Sequence, residues 1–180
     1  MNNIKLVIFD VDGVMTDGGI YIDENGESFK KFNVKDGLAI DLLRVHGIKT
    51  AVVSGKASSA LTKRCAQLNI DYVVTGSKNK LPKVKDICLE LSINPSDVAF
   101  VGDDVIDLPS MEYCGLSVAP ADAHQIILGI ADIVTSSHGG SGVVREFCDL
   151  MLTSRFGNLE NAYKIFLEKM AVDEVDNMEQ

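Results

Sequence analysis

Short apolar runs alternate along the chain with segments whose apolar positions recur at helical spacing. Six runs predict β-strands: IKLVIF (4–9), IKTAVVS (48–54), DYVVT (71–75), DVAFVG (97–102), GLSVA (115–119) and ADIVT (131–135). The first has no polar face after Lys5, which is typical of a strand covered on both sides. Helices are predicted over 37–47, 58–69, 80–91 and 158–170. This alternation predicts an α/β fold, with a doubly wound, Rossmann-like parallel sheet flanked by helices.

Residues 18–32 interrupt the alternation. They hold two β-like runs around Asn25-Gly26, a pair that favours the tight turn of a β-hairpin. The segment is too short for a separate cap domain. We therefore expect one domain over 1–180, with a small hairpin flap at 18–32, no cap domain, and a C-terminal helix and tail at 158–180. The last ten residues are acidic and are expected to fray.

Composition excludes several classes of protein. The chain has 180 residues and a net charge of -9, which argues against a nucleic-acid partner. No apolar stretch is long enough to span a membrane, and MNNIKLVIFD lacks the apolar core and cleavage site of a signal peptide. The four cysteines show no CxxC spacing, which is typical of buried thiols in a reducing compartment. These features predict a cytoplasmic location.

Polar side chains follow four of the predicted strands at the point where each strand ends. Ligands of open α/β sheets bind outside the carboxyl ends of the strands, so we expect these side chains to lie together. In chain order they are Asp10 and Asp12, then Ser54, Gly55 and Lys56, then Lys80, then Asp103 and Asp104, with Asp107 one helical turn later.

This set of residue types suits the chemistry of phosphate esters. Several carboxylates in one place stay ionised when a hard cation lies among them, and oxygen ligands favour Mg2+. A carboxylate can attack phosphorus, and a second one two residues later can transfer the proton. A hydroxyl and a lysine can bind the phosphoryl oxygens. Each residue alone has a commoner structural role, such as a helix cap or a solvated lysine, so the hypothesis depends on their joint order.

The motifs resemble those of the haloacid dehalogenase superfamily of phosphotransferases. The matching stretches are DVDGVMT (10–16), Ser54, Lys80 and GDDVID (102–107). The resemblance implies Asp10 as the nucleophile, Asp12 as the general acid and base, and Ser54 and Lys80 as further catalytic residues. It also implies Mg2+ as cofactor, held by Asp10, the Asp12 carbonyl and Asp103, with Asp104 and Asp107 orienting these ligands.

Further stretches resemble the cap-less branch of that superfamily: VKDGLAIDLL, VVSGK, GDDVIDLPSM, VAPADA and SSHGGSGVVREFCDLML. This resemblance implies hydrolysis of 3-deoxy-D-manno-octulosonate 8-phosphate in lipopolysaccharide precursor synthesis. A phosphatase of nine-carbon ulosonate 9-phosphates is the alternative, because Lys56 replaces the arginine usual in the octulosonate enzymes and cannot make its two-pronged contact. The candidate substrate-binding residues are Asp36, Gly55, Lys56, Arg64 and Arg145.

The same branch usually forms homotetramers, and the hairpin offers a physical motive. Its apolar residues and strand edges would stay unpaired in a monomer: Ile20, Ile22, Phe29 and Phe32. Two other classes stay open. A signalling receiver domain also uses an acidic Mg2+ pocket, but it carries its phosphorylated aspartate at the end of a later, central strand. In this chain the strand after the first helix ends in Ser54, which disfavours that class. A catalytically quiet scaffolding domain would not need the intact motif set.

Overall fold

The computed structural model describes the chain except residues 25, 179 and 180, and the side chains of residues 27, 28 and 172–178 are also left undescribed. The strands are β1 (Leu6–Phe9), β2 (Tyr21–Asp23), β3 (Gly26–Phe29), β4 (Lys49–Val53), β5 (Tyr72–Val74), β6 (Val98–Val101), β7 (Leu116–Ala119) and β8 (Ile133–Val134). Six of them form a sheet in the order β5-β4-β1-β6-β7-β8, and every pair in it is parallel. The predicted α/β fold is confirmed.

The helices are α1 (Val34–Val45), α2 (Ser59–Gln67), α3 (Leu81–Leu91), α4 (Leu108–Tyr113), α5 (Gln125–Ile130), α6 (Val143–Phe156) and α7 (Leu159–Met178). The first begins before the predicted 37–47, because the Asn33 side chain accepts a hydrogen bond from the Lys35 N–H at 2.9 Å and caps it. The predicted end of the last helix at 170 is wrong, since no proline or glycine interrupts the residues that follow. The last two residues of the expected tail lie outside the described residues.

Apolar side chains cover the sheet on both faces. Val7 and Phe9 of β1 belong to a core that includes α1 and α6, whereas Leu6 and Ile8 belong to a core that includes α3 and α5. All four side chains are 0% exposed. Successive residues of a strand point to opposite faces, so β1 is buried on both sides, as its continuous apolar run predicts.

The hairpin forms a separate two-stranded antiparallel sheet from β2 and β3. Tyr21 and Phe29 stack across it, with ring centroids 4.4 Å apart. Asn25 of the predicted turn lies outside the described residues. In the rest of the chain no cap domain is inserted, and no described helix has both the length and the apolar character to cross a bilayer.

The sheet order creates a switch point beside β1. After β1 the chain builds β4 and β5 on one side, then returns to place β6, β7 and β8 on the other. Asp10, just past β1, donates its N–H to the Val101 carbonyl at the end of β6, at 2.9 Å. Ligands of such sheets bind at this crevice, which directs attention to the loops after β1 and β6.

Candidate active site

A cleft of about 490 Å³ opens at the switch point. Its lining comes from the loops after β1, β4, β5 and β6 and consists of Asp10, Asp12, Gly55, Lys56, Lys78, Lys80, Asp103, Asp104 and Ile106. The structure thus brings together seven of the residues that the sequence pattern singled out, and adds Lys78 and Ile106. The carboxyl ends of parallel strands meet at one sheet edge, which explains why residues distant in sequence converge here.

Lys80 is the most buried cation of the cleft. It is 1% exposed, and its Nζ lies 2.7 Å from Asp10 Oδ1 and 2.6 Å from Asp107 Oδ1. A buried charge is tolerated only when it is paired. Burial opposes the charge of Lys80, but the two carboxylates hold its pKa above the ordinary value. Lys80 therefore stays an ammonium group against the carboxylate at the end of β1.

Asp107 connects this lysine to the loop after β6. Its second oxygen accepts hydrogen bonds from the N–H groups of Asp103 at 3.1 Å and Asp104 at 3.4 Å. A Cβ on Gly102 would lie 2.7 Å from the Asp107 Cβ, so only glycine fits there. Asp107 therefore orients both the Lys80 ammonium group and the backbone that carries Asp103.

Three carboxylates at this point have the chemistry of a cation site. Ligand oxygens of Asp10, Asp103 and Asp107 lie within 4.8 Å of one another. Asp103 Oδ1 is buried, and no described residue donates a hydrogen bond to it. Burial, together with the charges of Asp10 and Asp107, raises the pKa of Asp103 to about 8. A hard divalent cation would satisfy the orphaned oxygen and offset the repulsion, so the residues fit Mg2+.

The Asp10 carboxylate has a similar environment. Burial raises its pKa to about 6, the charge of Asp107 adds to the effect, and Lys80 opposes it. The loop that follows Asp10 can approach Asp103 because Gly13 has a φ of +91° and no side chain. A Cβ on Gly13 would lie 2.1 Å from Asp103 Oδ2. The glycine of the first motif is therefore required by space as well as by backbone conformation.

Asp12 is held by a residue that the sequence pattern did not indicate. The Lys30 ammonium group donates to Asp12 Oδ1 at 2.5 Å, and the Lys30 side chain is only 2% exposed. Lys30 directly follows β3, so it joins the hairpin to the turn after β1. The sequence alone does not distinguish Lys30 as a site residue, because the next residue, Lys31, is also a lysine.

Ser54 is buried and bonds mainly to its own loop. Its hydroxyl accepts a hydrogen bond from the Lys56 N–H at 3.3 Å and donates to the Lys56 carbonyl at 3.2 Å. Gly55 and Lys56, rather than the Ser54 side chain, form the wall of the cleft in this conformation. Through these two hydrogen bonds the Ser54 hydroxyl orders the backbone of the wall that Gly55 and Lys56 form.

Three of the candidate substrate-binding residues do not line the cleft of their own chain. Asp36 is 2% exposed, and its Oδ1 accepts a hydrogen bond from the Arg145 N–H at 3.0 Å, which caps α6 from α1. Arg145 turns its guanidinium to Asp149, at 3.1 Å. Arg64 packs against α1, since a Cβ on Gly37 would lie 3.0 Å from its Nη2. Substrate binding by Asp36, Arg64 and Arg145 stays a prediction, since none of them lines the cleft of its own chain.

Comparison with known proteins supports the assignment of the fold and the motifs. The family model described as haloacid dehalogenase-like hydrolase matches residues 69–147, the segment that carries Lys80, Asp103, Asp104 and Asp107. A hydrolase of this class is consistent with a carboxylate and lysine cluster at the switch point of a parallel sheet.

Three relatives indicate a particular family within this class of hydrolases. The chain is 48% identical over 160 residues to the 3-deoxy-D-manno-octulosonate 8-phosphate phosphatase of Escherichia coli strain K12. The aligned region covers 89% of this chain and 85% of the relative. The cobalt-bound deoxy-D-mannose-octulosonate 8-phosphate phosphatase of Haemophilus influenzae superimposes with a TM-score of 0.84 at 42% identity, covering 86% of this chain and 90% of that chain. The Moraxella catarrhalis 3-deoxy-D-manno-octulosonate 8-phosphate phosphatase was solved in complex with magnesium, phosphate and KDO. It superimposes with a TM-score of 0.86 at 31% identity, and the match covers 94% of each chain.

The chain therefore belongs to the 3-deoxy-D-manno-octulosonate 8-phosphate phosphatase family of the haloacid dehalogenase-like hydrolases. These similarities favour neither a nine-carbon ulosonate phosphatase nor a receiver domain.

Proposed function

We propose that this chain is a Mg2+-dependent phosphatase that hydrolyses 3-deoxy-D-manno-octulosonate 8-phosphate to the free sugar acid and phosphate, in lipopolysaccharide precursor synthesis. The observation that carries the proposal is the buried Lys80 between Asp10 and Asp107, at the switch point of the sheet. The substrate is supported by the 48% identity to the Escherichia coli phosphatase.

The first step is the transfer of the phosphoryl group to Asp10. Its Oδ1 faces Lys80, so Oδ2 is the oxygen that attacks phosphorus. The bond between phosphorus and the sugar oxygen breaks, and the leaving oxygen takes a proton from Asp12. The products of this step are the free sugar acid and an aspartyl-phosphate. Lys80 offsets the negative charge that gathers beside Asp10.

The second step regenerates the enzyme. Asp12, now a carboxylate, takes a proton from a water molecule that attacks phosphorus. The bond between phosphorus and Asp10 breaks, which releases inorganic phosphate and restores the Asp10 carboxylate. One water molecule is consumed for each ester cleaved, so the two steps balance as a hydrolysis.

The cation ligands in this proposal are the carboxylates of Asp10 and Asp103 and the Asp12 carbonyl. The orphaned Asp103 Oδ1 supports this assignment, and Asp107 serves Lys80 and the Asp103 N–H instead. Mg2+ bound there supplies positive charge that stabilises the phosphoryl oxygens during transfer. Gly55 and Lys56 bind the ester from the wall that they form, Ser54 assists catalysis by holding the backbone of that wall, and Asp104 and Asp107 orient the loop after β6.

The test is phosphate release in the presence of Mg2+ from three kinds of ester side by side. We expect 3-deoxy-D-manno-octulosonate 8-phosphate to have the highest kcat/KM, above nine-carbon ulosonate 9-phosphates and simple sugar phosphates. Equal and slow turnover of all of them would overturn the substrate assignment. Preference for a nine-carbon ester would replace it with the alternative, and a phospho-protein that persists for minutes would point to a receiver domain.

We also propose that the active form is a homotetramer. Apolar side chains of the hairpin are exposed in the single chain: Ile20 is 60% exposed, Ile22 is 72% exposed and Phe29 is 55% exposed. Packing hairpins between subunits would bury them and screen a cleft that has no cap domain over it.

A cytoplasmic, single-domain protein completes the proposal. All four cysteines are free, and Cys65, Cys88 and Cys148 are buried, which suits a reducing compartment. Both apolar cores share the same sheet, which supports one cooperative domain over 1–180. Cell fractionation tests the location, and a single unfolding transition in urea, seen alike by fluorescence and circular dichroism, tests the domain assignment.

A further inference from the structure

We propose that Lys78 is a specificity-determining residue that works beside Lys56 to bind the carboxylate of the substrate, at the end opposite the phosphate. The inference rests on the proposed function and deepens it. The sequence motifs do not include Lys78, which lies in the loop between β5 and α3.

The structure places Lys78 firmly beside the Lys56 loop. The Ser77 N–H donates to the Ser54 carbonyl at 3.1 Å, and the Ser77 hydroxyl donates to the Asn79 carbonyl at 2.9 Å. A Cβ on Gly55 would lie 3.8 Å from the Lys78 Cα, which is van der Waals contact. The two loops therefore touch at their bases, and both lysines line the cleft.

The charges of the cleft leave Lys78 available for a ligand. Lys80 is committed to Asp10 and Asp107. Asp12 is engaged by Lys30. Lys78 is exposed, and within the described part of the chain its ammonium group makes no ion pair. Lys78 therefore brings a positively charged hydrogen-bond donor to the cleft that Lys56 also lines.

The substrate has two anionic ends. Its phosphate must reach Asp10 at the floor of the cleft, which directs the carbon chain and the carboxylate at its far end toward the mouth. A single ammonium group acts as a point charge and cannot hold both oxygens of a carboxylate in a fixed plane. Two ammonium groups from adjoining loops can each bind one oxygen, and charge-assisted hydrogen bonds of this kind are the strong ones.

The experiment compares two esters in wild type, Lys78→Met and Lys5→Met. The esters are 3-deoxy-D-manno-octulosonate 8-phosphate and mannose 6-phosphate, which has no carboxylate. Lys5→Met is the matched control, because it removes one exposed lysine at the opposite end of β1, where Lys5 pairs with Asp97. We expect Lys78→Met to lower the ratio of the two kcat/KM values about tenfold, mainly through KM of the acid ester, and Lys5→Met to leave the ratio unchanged.

Free 3-deoxy-D-manno-octulosonate, tested as a competitive inhibitor, gives a second readout that needs no phosphate contact. We expect its inhibition constant to rise about tenfold in Lys78→Met. Equal losses on both esters, or an unchanged ratio and inhibition constant, would overturn the inference while leaving the proposed function intact. A wild-type enzyme that does not prefer the acid ester would instead overturn the proposed function and the inference with it.

Discussion

The Lys30 ammonium group lies 2.5 Å from Asp12 Oδ1 and so ties the hairpin to the carboxylate that we propose transfers the proton. The two residues are 18 positions apart, and the contact exists only because the hairpin folds back over the turn after β1. The Lys30 side chain is 2% exposed and the Asp12 side chain is 35% exposed, so solvent screens the pair less than it screens a surface ion pair. The hairpin therefore positions the Asp12 carboxylate of its own chain, in addition to the intersubunit role proposed for it.

Replacing Lys30 with methionine should lower kcat more than it alters KM. Without the ammonium group Asp12 loses its fixed orientation, and general acid catalysis contributes about 100-fold or more to such reactions. We expect kcat to fall about 10- to 100-fold and Lys30→Arg to recover part of it. Lys31→Met is the matched control, because Lys31 is 65% exposed and lies 3.4 Å from Asp17. Equal effects of the two methionine variants would refute the positioning role.

Asp10→Asn should abolish phosphate release while the protein remains folded. The amide cannot attack phosphorus, so we expect kcat to fall by about 1,000-fold or more. Lys80 keeps its second partner, Asp107, at 2.6 Å, which limits the structural cost. Phosphate assays and circular dichroism measure the two effects, with Asp86→Asn as a control on a carboxylate that is 66% exposed. Near-normal turnover in Asp10→Asn would remove Asp10 as the nucleophile.

Lys80→Met should destabilise the protein as well as inactivate it. Removing the ammonium group leaves two buried carboxylates without their cation, and breaking a buried pair in this way costs about 3–5 kcal/mol. Urea unfolding without divalent ions measures the loss. Part of the stability should return at low pH, where the Asp10 carboxylate takes up a proton. Lys83→Met, on the solvent side of α3, is the control and should stay near wild type. A Lys80→Met protein as stable as the control contradicts the burial argument.

Asp36 should make stability fall with rising pH. Burial raises its pKa to about 6 from 3.8, so the native state binds the proton more tightly than the unfolded chain does. Its contribution is fully present below pH 3.8 and is lost as the pH rises through about 6. Asparagine keeps an acceptor for the Arg145 N–H and cannot ionise. The free energy of unfolding of Asp36→Asn should therefore exceed that of wild type by about 3 kcal/mol at pH 7 and approach it near pH 4. A constant difference across this range would show that ionisation of Asp36 plays no part.

Ile22→Asp should dissociate the proposed tetramer. Ile22 is 72% exposed on β2, and a charge in an apolar interface remains unpaired. Light scattering after gel filtration should give a smaller species, with activity reduced because the cleft loses its screen. Leu89→Asp tests the same change at a residue of α3 that is 77% exposed. Wild type that runs as a monomer, or an Ile22→Asp variant that stays a tetramer, would exclude the hairpin as the contact.

Much of the architecture could be predicted from the alternation of apolar strands and amphipathic segments. Buried strands are recognisable because they are apolar on both faces, as β1 is. The helices α4, α5 and α6 were not predicted: α4 and α5 span only six residues each, and α6 begins after a glycine-rich loop that gives no side-chain cap. The hairpin was predicted from its turn pair and its two β-like runs.

The convergence of Asp10, Asp12, Lys80 and Asp103 follows from the linear order of strands and motifs, because a parallel sheet gathers its strand ends at one edge. The contacts that hold the site and its surrounding loops in place follow from tertiary structure alone. Lys30 reaches Asp12 across the hairpin, Lys78 joins Lys56 through contact between two loops, and Asp36 caps a helix that begins more than a hundred residues later. Helical and strand periodicity specifies which face a side chain occupies, whereas these contacts depend on how loops and helices pack against one another.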